Sequence, residues 1–387
     1  MRYLDSIFGN LLKPIDRRQF RAIVERHDGD AYDKSFKSWD HLVALIYAQL
    51  SHTDTLRGLE LAFNANAQHH YHLNVDRLAR TTLSDANKRR PVAVFADTFA
   101  MLSQMADRTI RREGAQMIRL IDASPVPLGK LCGWAPWNGR IRGMKMHVVY
   151  DPDADRPCTV EVTPATVNDS EVGHHLTIEA AATYVFDKAY CHYGWWQKIN
   201  DGRAFFITRA KANCRLRSIR RYPLRQCQGD GCRILDDHEV ALVSKGHSRP
   251  QLAMPLRRIR VRRDNGAVMT LITNDQTRSA VEIAALYKRR WQIELLFRWI
   301  KQHLRIRRFL GNNDNAIRLQ ILTAMIAYLL LRLAARLNAL RLPALRLAEL
   351  ACQFLFTRRP IAKIDKPIIP RPPQPRCSHD QLHFCYA

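Results

Sequence analysis

The hydrophobic period of the chain changes near Met117, and that change limits the fold more than any single residue does. Before it, apolar residues recur at helical spacing. Trp39, Leu42, Val43, Ile46 and Leu50 follow Ser38, a favourable helix cap. A polar break, Ser51-His-Thr-Asp54, separates that helix from a second over 56–63. Two short helices joined by a tight turn fit a helix-turn-helix or an ordinary helical pair. Ser84 starts a further helix running to about Arg111, and Arg80, Lys88, Arg89 and Arg90 face phosphates or solvent.

After Met117 the runs are short and strand-like: 117–122, 144–150, 159–163, 182–187 and 205–208. Helical stretches over 171–180 and 195–200 lie between the later strands. Residues 212–268 are rich in Arg and turns, with short alternating runs, and read as a β-rich insertion with a basic face. Residues 268–273 return to strand, 279–303 form one helix, and 316–340 and 342–356 form two more. The predicted class is α/β: a mixed sheet preceded by an α-helical N-terminal domain.

Composition narrows the partner. Across 387 residues, Lys plus Arg exceed Asp plus Glu by 61 − 36 = 25, and the pI is near 10.1. A charge of that size, spread along the chain, points to a polyanion, most often DNA or RNA. Hydrophobic residues make up 47%, which fits a globular chain. The nine cysteines are odd in number and lack a CxxC pair, which argues against a disulfide framework. Cys227 and Cys232 bracket Gln-Gly-Asp-Gly. A hairpin turn explains that spacing more simply than a zinc site with Cys214 and His238. The N-terminus lacks a signal-peptide core, and the apolar run 321–331 is short for a bilayer, so a cytoplasmic, nucleoid-associated protein without a membrane span is expected.

The chemistry gathers in three acids. Asp122 and Asp187 each close an apolar run, where a strand end would set them at the edge of a sheet. The third, Glu294, lies on the helix over 279–303. At about 100° per residue, with Tyr287 at 0°, Arg290 falls near 300°, Glu294 near 340° and Lys301 near 320°. Leu286, Ile293, Phe297, Ile300 and Leu304 form the buried stripe beside them. Three carboxylates in one place repel unless a cation lies between them, and Mg²⁺ prefers such oxygen ligands. Two ions there could activate an attacking hydroxyl and stabilise a leaving oxygen. Asp151, Asp153, Asp155, Asp169 and Asp275 compete weakly, because each sits in a turn or loop.

These residues resemble the DDE transposases of bacterial insertion sequences, in particular the group marked by Tyr-x2-Arg-x3-Glu-x6-Lys. Tyr287, Arg290, Glu294 and Lys301 match every spacing. Asp122 in Leu-Ile-Asp-Ala-Ser and Asp187 in Val-Phe-Asp-Lys-Ala-Tyr fit the first two acids. The resemblance covers about residues 15–340. It implies a ribonuclease-H-like core with Asp122, Asp187 and Glu294 as catalytic residues and ligands of Mg²⁺ or Mn²⁺, two ions in all. It implies double-stranded DNA as partner, both terminal inverted repeats and target. Tyr287, Arg290 and Lys301, with Arg298 on the same helix, are the DNA-binding candidates. Synapsis of two ends is compatible with a dimer on DNA. Some relatives pass through a DNA hairpin, with a tryptophan of the insertion holding a flipped base. Here 212–274 contains no Trp, Tyr222 is its only aromatic residue, and Trp195 and Trp196 follow Asp187 instead.

The expected organisation is a helical, DNA-binding N-terminal domain (1–112), a catalytic core (113–211 and 269–310), the insertion (212–268), C-terminal helices (311–364) and a Pro-rich disordered tail (365–387). Two other functions fit: a catalytically inactive DNA-binding regulator of transposition, and a ribonuclease-H-like DNA nuclease. The helical N-terminal domain and the long insertion count against the nuclease.

Overall fold

A computed structural model describes residues 5–110, 116–224, 227–229, 231–243, 252, 254–342 and 344–366. The expected end of a helix at Arg111 and nearly all of the tail from 365 lie outside the described residues. The chain begins with helices α1 (Ile7–Leu12), α2 (Arg17–Arg26), α3 (Ser38–Leu50), α4 (Leu56–Asn64), α5 (Arg80–Arg89) and α6 (Val92–Ile110). Strands β1 (Ile118–Pro127), β2 (Gly143–Asp151) and β3 (Arg156–Pro164) follow, then α7 (Asp169–His175), β4 (Thr183–Phe186), α8 (Tyr193–Asp201) and β5 (Phe205–Arg209). Next come β6 (Leu216–Arg221), β7 (Gln228–Gly229), β8 (Cys232–Leu242), β9 (Leu256–Arg263) and β10 (Val268–Thr273). Helices α9 (Ala280–Arg289), α10 (Trp291–His303), α11 (Asp314–Leu337) and α12 (Ala344–Phe354) complete the order.

All ten strands join one mixed sheet, ordered β3-β2-β1-β4-β5-β10-β9-β8-β6, with β7 on β8. β1, β2 and β3 form an antiparallel meander, and β4 and β5 run parallel to β1. That order and those directions make the first five strands ribonuclease-H-like. β6, β8 and β9 extend the same sheet through β10, which pairs antiparallel with β5. The strands of the arginine-rich segment therefore continue the central sheet. Gln228 pairs with Arg233 and Gly229 with Cys232, and Gly231 turns at a φ of 69°, so the cysteines flank a hairpin.

Alternation along β1 explains the two cores. Leu120 belongs to the larger core, which also holds residues of α3, α6 and α11, whereas Ile121 belongs to the core on the other face with Trp195 and Trp196 of α8. α11 is apolar and long enough to cross a membrane by length and composition, but 89% of its apolar window is buried inside the fold. It is the central core helix.

Four details differ from the sequence reading. Ser38 is the first helical residue rather than the cap. The Asp40 carboxylate accepts from the Lys37 amide at 2.9 Å, and Ser38 donates its own amide to Asp30 at 2.6 Å. The helix expected from Ser84 starts at Arg80 and stops before Pro91, which cannot continue the hydrogen bonding. Arg90 is buried, pairing with Asp30 and Asp33 and donating to the Phe36 carbonyl, so it faces neither phosphate nor water. The helix expected over 171–180 ends at His175. Helix α3 is buried almost all round, and the open side of α4 carries Arg57 and Leu61.

Candidate active site

Asp122 lies within β1 rather than at its end. The antiparallel ladder with β2 continues to Pro127, which an apolar run read alone does not reveal. The parallel ladder with β4, however, stops at the Ile121–Phe186 pair. Asp122 and Asp187 are the next residues on two strands about 4.8 Å apart. Alternation turns both to the face opposite Ile121 and Phe186, the side on which α10 meets β1.

The helix expected over 279–303 is two helices joined at Arg290. There the Arg290 amide donates to the Tyr287 carbonyl at 3.1 Å and the Ile293 amide to the Arg290 carbonyl at 3.2 Å, three-residue bonds in place of four. Glu294 therefore falls in the first turn of α10, where the helix dipole favours an acid. The Arg290 guanidinium spans the two elements: Nη1 lies 3.1 Å from Asp122 Oδ2 and Nη2 2.6 Å from Glu294 Oε1.

The three acids feel one another's charge. Burial pushes the Asp122 carboxyl up to about 6. The Ala123 amide and Arg290 pull it down, and Glu294 and Asp187 raise it. Burial also works against the Arg290 charge, but its bond to Glu294 and its neighbours Tyr287 and Asp122 outweigh that and raise its pKa. One oxygen of Asp187, Oδ1, is buried without a hydrogen-bond partner among the described residues. Tyr287 is 7% exposed with its hydroxyl also buried, so it does not present that group to solvent. Burial raises its pKa, with Arg290 opposing and Asp187 adding.

Asp122, Arg290 and Glu294 are thus in direct contact, and Asp187 and Tyr287 adjoin them. Arg298 is solvent-exposed one turn beyond Glu294. Lys301 lies farther along, half-buried in a cleft with His52, Asp54, Arg305 and Arg307; burial and then Arg307 lower its pKa. Asp54 pairs with Arg305 at 3.1 Å and Arg308 at 2.7 Å, which fastens the α3–α4 turn to the end of α10. Sequence reasoning missed that clasp, and it missed the bridging role of Arg290, for which the four-residue Arg–Glu spacing was the available signal. Trp195 and Trp196 are buried in the core, so neither offers a ring to a base; Trp291, beside Arg290, is 50% exposed.

The donor set fits a divalent cation in kind. Three acids against one arginine leave an excess of negative charge, and one Asp187 oxygen is buried without a hydrogen-bond partner among the described residues. Among the described residues no three His, Cys, Asp or Glu side chains form a ready-made metal cluster. The Arg290 guanidinium is the cation between Asp122 and Glu294.

Fold and site together define a ribonuclease-H-like protein with an acidic centre facing a basic helix. The chain belongs to the DDE transposase family: residues 113–330 match the family described as the transposase DDE domain. Residues 4–75 match a domain of unknown function, DUF4372. Over 307 residues the chain is 58% identical to a Sinorhizobium fredii protein assigned as transposase y4zB, covering 79% of this chain and 86% of that one. It is 30% identical over 305 residues to a protein assigned as the transposase of insertion sequence element IS5377 in Geobacillus stearothermophilus, covering 75% and 79%. With the assigned transposase of element IS4SA in Synechocystis the identity is 26% over 265 residues, covering 65% and 71%.

Proposed function

We propose that the protein cuts the ends of an insertion element and joins them to target DNA by metal-dependent hydrolysis and transesterification of phosphodiesters. The observation that carries this reading is the arginine-bridged pair Asp122 and Glu294, with the open Asp187 oxygen on the adjoining strand. We assign the chain to the subgroup spaced as Tyr287, Arg290, Glu294 and Lys301. The core-and-insertion organisation 113–211, 212–268 and 269–310 is part of the same proposal, as is a DNA-binding role for the helical region 1–112.

Asp122, Asp187 and Glu294 would hold Mg²⁺ or Mn²⁺, two ions in this reading. When bound, the ions supply the positive field that makes a hydroxyl nucleophilic and eases departure of the leaving oxygen. The chain's own residues do the positioning. The sheet holds Asp122 and Asp187 side by side without a flexible link, and the break at Arg290 aims Glu294 at them. Arg290, Arg298 and Lys301 spread positive charge along α10, suited to charge-assisted bonds with the phosphates of duplex DNA.

The test is end cleavage. Purified protein is incubated with Mg²⁺ or Mn²⁺ and a duplex carrying the element's inverted repeat. The wild type nicks it, and Asp122→Ala, Asp187→Ala and Glu294→Ala each lose at least about 10³-fold in rate. Cutting at the wild-type rate by any one of the three would overturn the assignment.

A further inference from the structure

Beyond β5 the two faces of the sheet differ. On the side of Asp122, α9 packs against β7 and β8. On the other side, directly paired residues share a face. Arg258, Arg260 and Arg262 of β9 therefore point the same way as His238, Asp236 and Arg233 of β8 and as Thr270 and Val268 of β10. Arg233, Arg260 and Arg262 are solvent-exposed, and Val268 is 48% exposed.

The charges on this face are not balanced. Asp236 is the one acid that these three strands place on it, and it is already shared by Arg258 and Arg260, each at 3.1 Å. Arg233 and Arg262 stand directly opposite each other, and no described carboxylate forms an ion pair with either. Like charges at directly opposed positions destabilise a sheet. Such a pair is costly unless an anion from outside neutralises it.

We propose that this face is a second DNA-binding surface, separate from the carboxylates, that grips the backbone of duplex DNA without regard to sequence. Arginines two residues apart on one strand are about 6.8 Å apart, and those on neighbouring strands are about 5 Å apart. That makes a flat positive patch broad enough to meet several phosphates of a duplex, which carries one charge per roughly 1.7 Å of axis. The planar guanidinium fork matches phosphate oxygens. A flat sheet face does not enter a groove to reach base edges, which favours the backbone as the element gripped. Because the face is turned away from Asp122, the duplex on it is not the segment being cut at that protomer's own acids. The proposal rests on DNA being the partner, and not on the catalytic assignment.

The test measures anisotropy of a labelled duplex of unrelated sequence with the full chain over a range of salt. The double variant Arg233→Gln, Arg262→Gln should bind about tenfold more weakly at ~0.1 M salt, with a log–log salt slope shallower by about 2. Asp236→Asn, which frees Arg258 and Arg260, should bind several-fold more tightly, a gain that misfolding cannot produce. Unchanged affinity and slope in both variants would overturn the proposal, as would polyglutamate of equal charge competing as well as DNA. A wild type that binds duplex through this face but never cuts element ends would leave the proposal standing and sink the catalytic reading. End cleavage with no effect of either variant on duplex binding would do the reverse.

Discussion

Arg119 and Arg290 each join a pair of acids, and only one of these two clusters is closed. Arg119, 1% exposed, donates to both oxygens of Glu179 at 2.7 and 2.6 Å, to Asp151 Oδ2 at 2.9 Å and to the Ile118 carbonyl at 3.2 Å. The other oxygen of Asp151 accepts from the Asp153 and Ala154 amides at 3.0 and 3.1 Å. Arg290 makes a similar bridge between Asp122 and Glu294, yet beside it Asp187 keeps a buried oxygen unsatisfied. A structural network saturates its members, whereas a site built to receive something leaves valence open.

The largest effect should come from opening the closed cluster. Arg119→Met strips the buried Asp151 of its nearest cation, leaving the Asp153 and Ala154 amides and Arg156 at 4.0 Å, and should cost up to about 3–5 kcal/mol of unfolding free energy in urea titrations. End cleavage per folded molecule should persist. If the loss is under about 1 kcal/mol, the cluster is not the structural one.

Next in size is a pH dependence set by two buried histidines. Burial drives His41 down to about 3, with Asn87 opposing, and drives His147 down to about 4. Both are neutral in the fold, while the unfolded chain takes up protons from about pH 6.5 downward. Their stabilising contribution is therefore complete above about pH 6.5. It is lost as pH falls toward 4 for His147 and toward 3 for His41, at up to about 1.4 kcal/mol per pH unit for each. His41→Gln should flatten the pH dependence of unfolding between roughly pH 6 and 4 by about one proton. An unchanged slope would mean that His41 is charged in the fold.

The smallest effect separates the open cluster most cleanly. Asp187→Asn removes a charge from a crowded group of acids, so it should leave stability unchanged or raise it by up to about 1 kcal/mol while end cleavage disappears. A clear destabilisation would place Asp187 among the structural acids.

Much of this was legible in the chain. Apolar runs located β1, β2, β4 and β5, because buried strands in a covered sheet carry an unbroken apolar signal, and alternation located β3. Asp122 and Asp187 stood out as acids terminating such runs, and helical spacing set Glu294 near Arg290. The break at Arg290 was not legible, since neither Pro nor Gly marks it and both three- and four-residue bonding suit the same side chains. Pro91 does mark the break between α5 and α6. Nearly every position of α3 from Leu42 to Leu50 is apolar, which signals a helix buried all round. The joining of β9 and β10 to β5 depends on pairing between distant segments, which local pattern does not encode. The Asp54 clasp on Arg305 and Arg308 is long-range in the same sense.

The central claim is that Asp122, Asp187 and Glu294 act as one cation-binding unit, and Mn²⁺ binding tests it directly. Electron paramagnetic resonance titration of the full chain on element-end DNA should detect bound Mn²⁺ in the wild type. That signal should be lost or strongly weakened in Asp122→Asn, Asp187→Asn and Glu294→Gln alike. Wild-type Mn²⁺ binding in any one of the three, with DNA still bound, would contradict the account.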